Sequence, residues 1–216
     1  MKKEENSKRV FVIGGGHSLS DFDFTKLANE DTIVTNKSIL DVPFPNYFIT
    51  IDYTFLKKIG ADCFKQINTT KLFVANFGCS TLKEKNGQIV DTKFNLKYHL
   101  DSFDKVIKSY RSDGIGFSFD DFRNGTNSGY CALQLAVILG YKEIYLLGMD
   151  LNTTNKTHYH GGYGQSHKVF NEKLEKYFQL FKVGLLELQS CSDVEVFSCS
   201  SNSRLNSIIP YHNLKI

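Results

Sequence analysis

Three short stretches carry residues whose types and spacing suit chemistry. The first is GGGHS, Gly14 to Ser18, directly after the apolar run Arg9–Ile13. Glycine admits positive φ and has no Cβ, so a strand that ends in glycines and turns into a helix brings main-chain N–H groups close to an anion. Ser18 adds a hydroxyl. Leu19 stands where the third glycine of a GxGxxG fingerprint belongs, and no GxxxxGK[ST] loop is present. The stretch therefore reads either as a phosphate or nucleotide contact or as a tight turn with no ligand. The second is GTNSG, Gly125 to Gly129, whose small residues open a helix. Asn127 or Ser128 supplies the cap, and the first-turn N–H groups around Ser128 and Gly129 favour negative charge. An ordinary N-cap is the alternative.

The third is THYHGGYG, Thr157 to Gly164. His158 and His160 alternate, so an extended chain points both to one side. With no Cys or carboxylate at ligand spacing they form an incomplete zinc set, and no metal is expected there. A single imidazole on a glycine-flanked loop suits a general base, because its pKa lies near neutrality and the loop can close over a substrate. Tyr159 and Tyr163 offer hydroxyls to a leaving phosphate; a plain polar surface loop is the alternative. Asp52 and Asp150 each end a predicted strand, and each reads as a ligand for a ribose hydroxyl or magnesium, or as a helix cap. Cys131 falls within an apolar helix and reads as core. His17, His99, His167 and His212 read as surface or packing residues. There is no GxSxG elbow.

Positioning these residues takes an alternating chain. Strands are predicted at Arg9–Ile13, Thr32–Asn36, Asn46–Asp52, Lys71–Ala75, Glu143–Leu147 and Val194–Cys199, from β-rich runs closed by Gly, Asn or Asp. Helical spacing covers Phe22–Leu27, Tyr53–Gln66, the segment from Asn127 to its stop at Gly140, and the amphipathic run Lys168–Gln189. SSNSRLNSII begins a further loop and helix. The middle, Asn76–Gly125, shows no steady period. Strand–helix alternation predicts an α/β fold, a Rossmann-like doubly wound, mostly parallel sheet, as one domain over 9–216 with a short lid loop at about 151–166. Ligands in such sheets sit beyond the C-terminal strand ends. Those ends carry GGGHS, Asn36, Asp52, Gly148–Asp150 and SSNS.

Composition narrows the classes. The chain has 216 residues, 41% hydrophobic and 13% aromatic, enough for a core. A net charge of +3 argues for neither nucleic acid nor a membrane surface. Residues 1–8 read as a disordered, solvated tail. No stretch is apolar enough to span a bilayer, and no signal-peptide core is expected. Five cysteines without CxxC spacing point to no disulfide framework and to a reducing cytoplasm. The sequence is compatible with a homo-oligomer and does not specify one.

FVIGGGHSL followed by DFDFTKL, TNSGYCALQLAVILGYKEIYLLGMDL and THYHGGYG resemble a family of phage and bacterial proteins described by a domain of unknown function, related to archaeal 6-hydroxymethylpterin pyrophosphokinases. The same segments resemble bacterial CMP-sialic-acid-dependent sialyltransferases, a single-domain Rossmann-like glycosyltransferase group. The likeness covers the first strand and helix, the second strand and almost everything after Thr126. It implies that Gly14, Gly15, Gly16, Ser18, Asn36, Asn127, Ser128 and Gly148 hold a nucleotide. It also implies that His158 of the HY pair is the base and that Tyr159 or Tyr163 assists phosphate departure. Cys199 to Ser203 resembles a C-terminal loop of that group. Gly15 stands where that group has asparagine, Asp52 stands near another of its asparagines, and the lid is shorter.

Three functions follow. The first is inverting, metal-independent transfer from a nucleotide-sugar, with a CMP-sugar favoured, to a glycan or other hydroxyl acceptor. In it N–H groups at Gly15–Gly16 and Ser128–Gly129 stabilise the departing phosphate. The second is ATP-dependent diphosphate transfer, with Asp52 or Asp150 holding Mg²⁺. The third is a non-catalytic nucleotide-binding or phage-associated module.

Overall fold

The computed structural model describes residues 9–79, 81–153, 156–160 and 167–214. The expected tail at 1–8 and part of the expected lid, including Tyr163, lie outside the described residues.

Seven strands form one parallel sheet: β1 (Arg9–Ile13), β2 (Thr32–Thr35), β3 (Tyr47–Thr50), β4 (Thr70–Asn76), β8 (Lys105–Ser109), β9 (Glu143–Leu147) and β10 (Glu195–Ser198). Between β4 and β8 the chain makes a separate antiparallel sheet of β5 (Leu82–Lys85), β6 (Gln88–Asp91) and β7 (Leu96–Lys97). The main sheet runs β10-β9-β1-β2-β3-β4-β8. The chain winds outward from β1 to β8, then returns to pair β9 with the free side of β1, with Ile13 opposite Leu147. The strand order reverses between β1 and β9, the place where doubly wound sheets bind ligands. Both flanking strands are nearly continuous buried apolar runs, as a sheet covered on both faces requires.

One face is covered by α3 (Ser128–Ile138), which is buried on every side up to Val137 because small and apolar residues surround it completely. Asn127 caps its start and Gly140, at φ 83°, follows its end. Over α3 lies α4 (His167–Cys191), whose buried Phe181 meets the Tyr130 ring edge-on at 5.0 Å. The other face buries Phe11, Ile13, Val34, Phe48, Tyr145 and Leu147 against α1 (Tyr53–Ile59), α2 (Ala61–Gln66) and short 3-10 turns. The expected single helix Tyr53–Gln66 is two, broken at Gly60 where φ is 83°. All five cysteines are free, and Cys131 is buried in α3.

Two elements escape a period search. β8 is an edge strand, alternating exposed and buried. The β5–β6 hairpin turns at Asn86–Gly87 with both residues at positive φ and Lys85 opposite Gln88, the two-residue turn that an Asn-Gly pair favours.

Candidate active site

A cleft of about 530 Å³ opens at the C-terminal edge of the sheet. Its floor is Gly14–Gly16 after β1, Asn36 after β2, Asp52 after β3, Asn76 at the end of β4, the turn Gly148–Asn152 after β9, and the start of α3 from Thr126 to Gly129. Its walls are Thr157 and His158, the α4 residues Phe170, Lys173, Leu174 and Tyr177, and on the far side Cys79, Leu82, Asp91 and Tyr98. Every predicted strand-end group lines it except His17, Ser18 and the SSNS loop.

The glycine turn is largely consumed by its neighbour. Gly14 N–H donates to Leu147 O and Gly16 N–H to Gly148 O, both at 2.8 Å. A Cβ on Gly14 would lie 2.7 Å from Gly148 O, and one on Gly16 2.4 Å from Asp150 Oδ2. These two glycines let the β1 and β9 turns touch. The expectation that Gly16 N–H serves a departing phosphate is thereby corrected, because a carbonyl already occupies it. Gly15 N–H has no acceptor among the described residues, and a Cβ there would stand 3.1 Å from His158 Cδ2.

The carboxylates are similarly committed. Buried Asp150 accepts from Ser18 N–H at 2.9 Å and from the Ser18 hydroxyl at 2.6 Å, with His17 Nδ1 3.2 Å from Oδ2. Ser18 and Asp150 thus tie the two turns together, and His17, expected as a surface or packing residue, belongs to the same junction. Asp52 Oδ1 accepts from Thr54 N–H and hydroxyl at 2.9 and 2.6 Å, the capping alternative. Among the described residues no three of His, Cys, Asp and Glu gather into a metal-ligating group.

The start of α3 is different. Asn127 Oδ1 accepts from Tyr130 N–H at 3.1 Å, fixing the first turn, while Ser128 and Gly129 N–H find no acceptor among the described residues. They face the cleft at the positive end of an 11-residue helix. Ser128 Oγ donates to Asn36 Oδ1 at 3.3 Å and accepts from Ile51 N–H at 3.3 Å, and Thr50 Oγ1 donates to the same Asn36 oxygen at 2.7 Å. Asn36 holds φ 50°, a conformation asparagine tolerates better than most residues, which turns its side chain back onto this network.

His158 and His160 do share one side: their rings stack at 4.9 Å, and His158 also lies 4.9 Å from Phe170. Burial pushes His158 down to about 4; burial and the charge of its neighbour push His160 down to about 4. Both are neutral near pH 7, and His158 lines the cleft with its Nδ1 3.0 Å from Thr157 Oγ1. Tyr159 is turned away: its N–H donates to Gly15 O at 3.2 Å and its hydroxyl to Asp41 Oδ2 at 2.5 Å, against Phe24. It anchors the histidine segment to the glycine turn instead of meeting a phosphate.

Among the described residues the tyrosines that line the cleft are Tyr98 and Tyr177, and sequence reasoning missed both. Tyr98 stacks on Tyr53 at 3.9 Å, and burial together with Asp91 pushes its phenol up; burial, then Asp52, does the same for Tyr177. Phe170, Leu174, Tyr177 and Phe181 form a three-and-four-spaced stripe, a signal that could have placed α4 over the site. Nothing comparable marks Tyr98.

No protein-family model matches the chain, and no curated protein matches it. Solved structures do. The sialyltransferase CST-II of Campylobacter jejuni, in complex with a trisaccharide acceptor and CMP, is 20% identical over 94% of this chain and 85% of that one, with a TM-score of 0.52. A variant of the same enzyme in complex with CMP is 19% identical over 94% and 86%, at 0.53. The fold is that of these sialyltransferases. At this identity the likeness establishes architecture, and the chemistry has to be argued from the site.

Proposed function

We propose that the chain is a glycosyltransferase that moves a sugar from a nucleotide-sugar, with a CMP-sugar favoured, to a hydroxyl of a glycan acceptor. The observation that carries this is the start of α3, where two first-turn N–H groups with no acceptor among the described residues, the Asn36–Ser128 network and neutral His158 face one cleft at the strand-order reversal. The fold likeness to structures that hold CMP and a trisaccharide supports it.

The nucleotide phosphate sits at the Ser128 and Gly129 amides, with Gly15 N–H facing the same space. Nε2 of His158 takes the proton of the acceptor hydroxyl as that oxygen bonds to the anomeric carbon. The bond from that carbon to the phosphate oxygen breaks, and its electron pair leaves on the phosphate. Amides fixed in place before that charge develops stabilise it without reorganising. A phosphate anion nearby also favours the imidazolium that forms, offsetting the burial that depresses it. The Asn36 amide and Asp52 border the space for base and ribose. Tyr163 remains a candidate for the leaving phosphate, and Tyr159 drops out. No metal takes part in this scheme. Diphosphate transfer with Mg²⁺ is less well supported, since both Asp150 oxygens and one Asp52 oxygen are already engaged.

The test is His158→Ala. Turnover with a CMP-sugar is expected to fall by about 10²–10⁴-fold while CMP still raises the melting temperature. Full turnover in that variant contradicts the role of His158; loss of the CMP-induced shift contradicts the separation of binding from base.

A further inference from the structure

The small sheet that interrupts the main one has two unlike faces. Successive residues of a strand alternate sides, and the pairing places Lys83 opposite Val90, Val90 opposite Lys97 and Lys85 opposite Gln88. Lys83, Lys85 and Lys97 therefore share the outer face, all exposed, around a half-buried valine. A shallow groove of about 420 Å³ runs between Lys85 and Lys97. The inner face carries Leu82, Ile89 and Leu96, which pack with Tyr53 and Phe73, and Asp91; Leu82 and Asp91 border the cleft. The two carboxylates in this stretch are placed elsewhere: Asp91 faces the cleft and Glu84 pairs with Lys108 at 2.8 Å.

At the cleft end of this sheet, the turn between β6 and β7 projects Phe94, 69% exposed, with Lys93 Nζ 5.3 Å from its ring centroid. The turn is built rather than loose, since Asp91 Oδ1 accepts from Lys93 N–H at 2.9 Å and Phe94 N–H at 3.4 Å. A residue on the cleft wall thus holds an exposed aromatic ring and a lysine outward beside the cleft.

We infer that the outer face of β5–β7 and the Phe94 turn dock the protein on an anionic lipid surface, presenting the cleft to acceptors at that surface. Four lysines that form no ion pair among the described residues complement negatively charged headgroups, and each adds attraction close to a charged leaflet. The projecting phenylalanine separates a bilayer from a dissolved polyanion: it has apolar acyl boundary to enter in the first and only water in the second. The net charge of +3 for the whole chain does not register such a patch, because the excess is local. This docking stands on different residues from the transfer chemistry and does not require it.

The experiment is co-sedimentation with phosphatidylcholine vesicles, with and without phosphatidylserine. The wild-type chain is expected to partition onto the anionic vesicles and to be released by salt. The triple variant Lys83→Gln, Lys85→Gln, Lys97→Gln should lose roughly a hundredfold in partitioning, and Phe94→Ser roughly fivefold. These exposed positions leave the core untouched, so unchanged melting temperatures show that the variants are folded. Equal partitioning of wild type and triple variant overturns the inference. So does binding to heparin with none to anionic vesicles, or equal binding to neutral and anionic vesicles.

Discussion

Gly14–Gly16 and Gly125–Gly129 are both glycine-bearing turns that lead into a helix, and both face the same cleft. Their amides have different fates. Those of Gly14 and Gly16 are spent on carbonyls of the β9 turn, and the helix that follows is the three-residue 3-10 turn His17–Leu19, too short for an appreciable dipole. Those of Ser128 and Gly129 find no acceptor among the described residues and stand at the head of 11 helical residues. Similar composition serves packing in one place and presents first-turn amides to the cleft in the other. The deciding variable is what lies next to the turn. β9 crowds the glycine turn after β1, while the start of α3 opens onto the space between β2 and β3.

Substitutions should separate the two. Gly16→Ala is expected to cost the most, roughly 3 kcal/mol in chemical denaturation, since its Cβ meets a backbone carbonyl and a buried carboxylate that cannot withdraw. Asp150→Ala should cost roughly 2 kcal/mol by the same measurement, because Ser18 loses both hydrogen bonds to a buried charged partner. Asn127→Ala removes only a cap and should cost about 1 kcal/mol, yet it should weaken CMP binding in calorimetry, because fraying the first turn disorders the amides proposed to hold phosphate. If Asn127→Ala proved more damaging to stability than Gly16→Ala, the contrast would be drawn the wrong way round.

A separate expectation concerns pH dependence. His158 and His160 are held near 4 in the folded chain against 6.5 when exposed. The unfolded chain binds more protons between those values, so stability attributable to the pair is complete above pH 6.5 and declines as pH falls toward 4. Melting temperatures of His160→Asn across that window should fall less steeply than those of the wild type.

Much of this was readable in the residues. β1, β9 and α3 with its Asn127 cap and Gly140 stop declare themselves, since buried parallel strands and a buried helix are uniformly apolar and their ends carry residues with special backbone roles. The span 76–125 did not, because β5 to β8 are short, rich in lysine and solvated on at least one side, so no apolar run marks them. Its one strong local signal, Asn86–Gly87, went unread, and with it the wall that carries Asp91 and Tyr98. Composition reads the glycine turn as a close approach to an anion or as a tight turn with no ligand. What approaches it, the β9 turn 132 residues from Ser18 at Asp150, is a tertiary fact that no local pattern contains.

The central claim is that phosphate binds at the start of α3. Amide NMR shifts during titration with CMP test it most directly. Ser128 and Gly129 should move farthest, with Gly14 and Gly16 nearly still. A saturating titration that moved Gly14 and Gly16 and left Ser128 and Gly129 in place would contradict it.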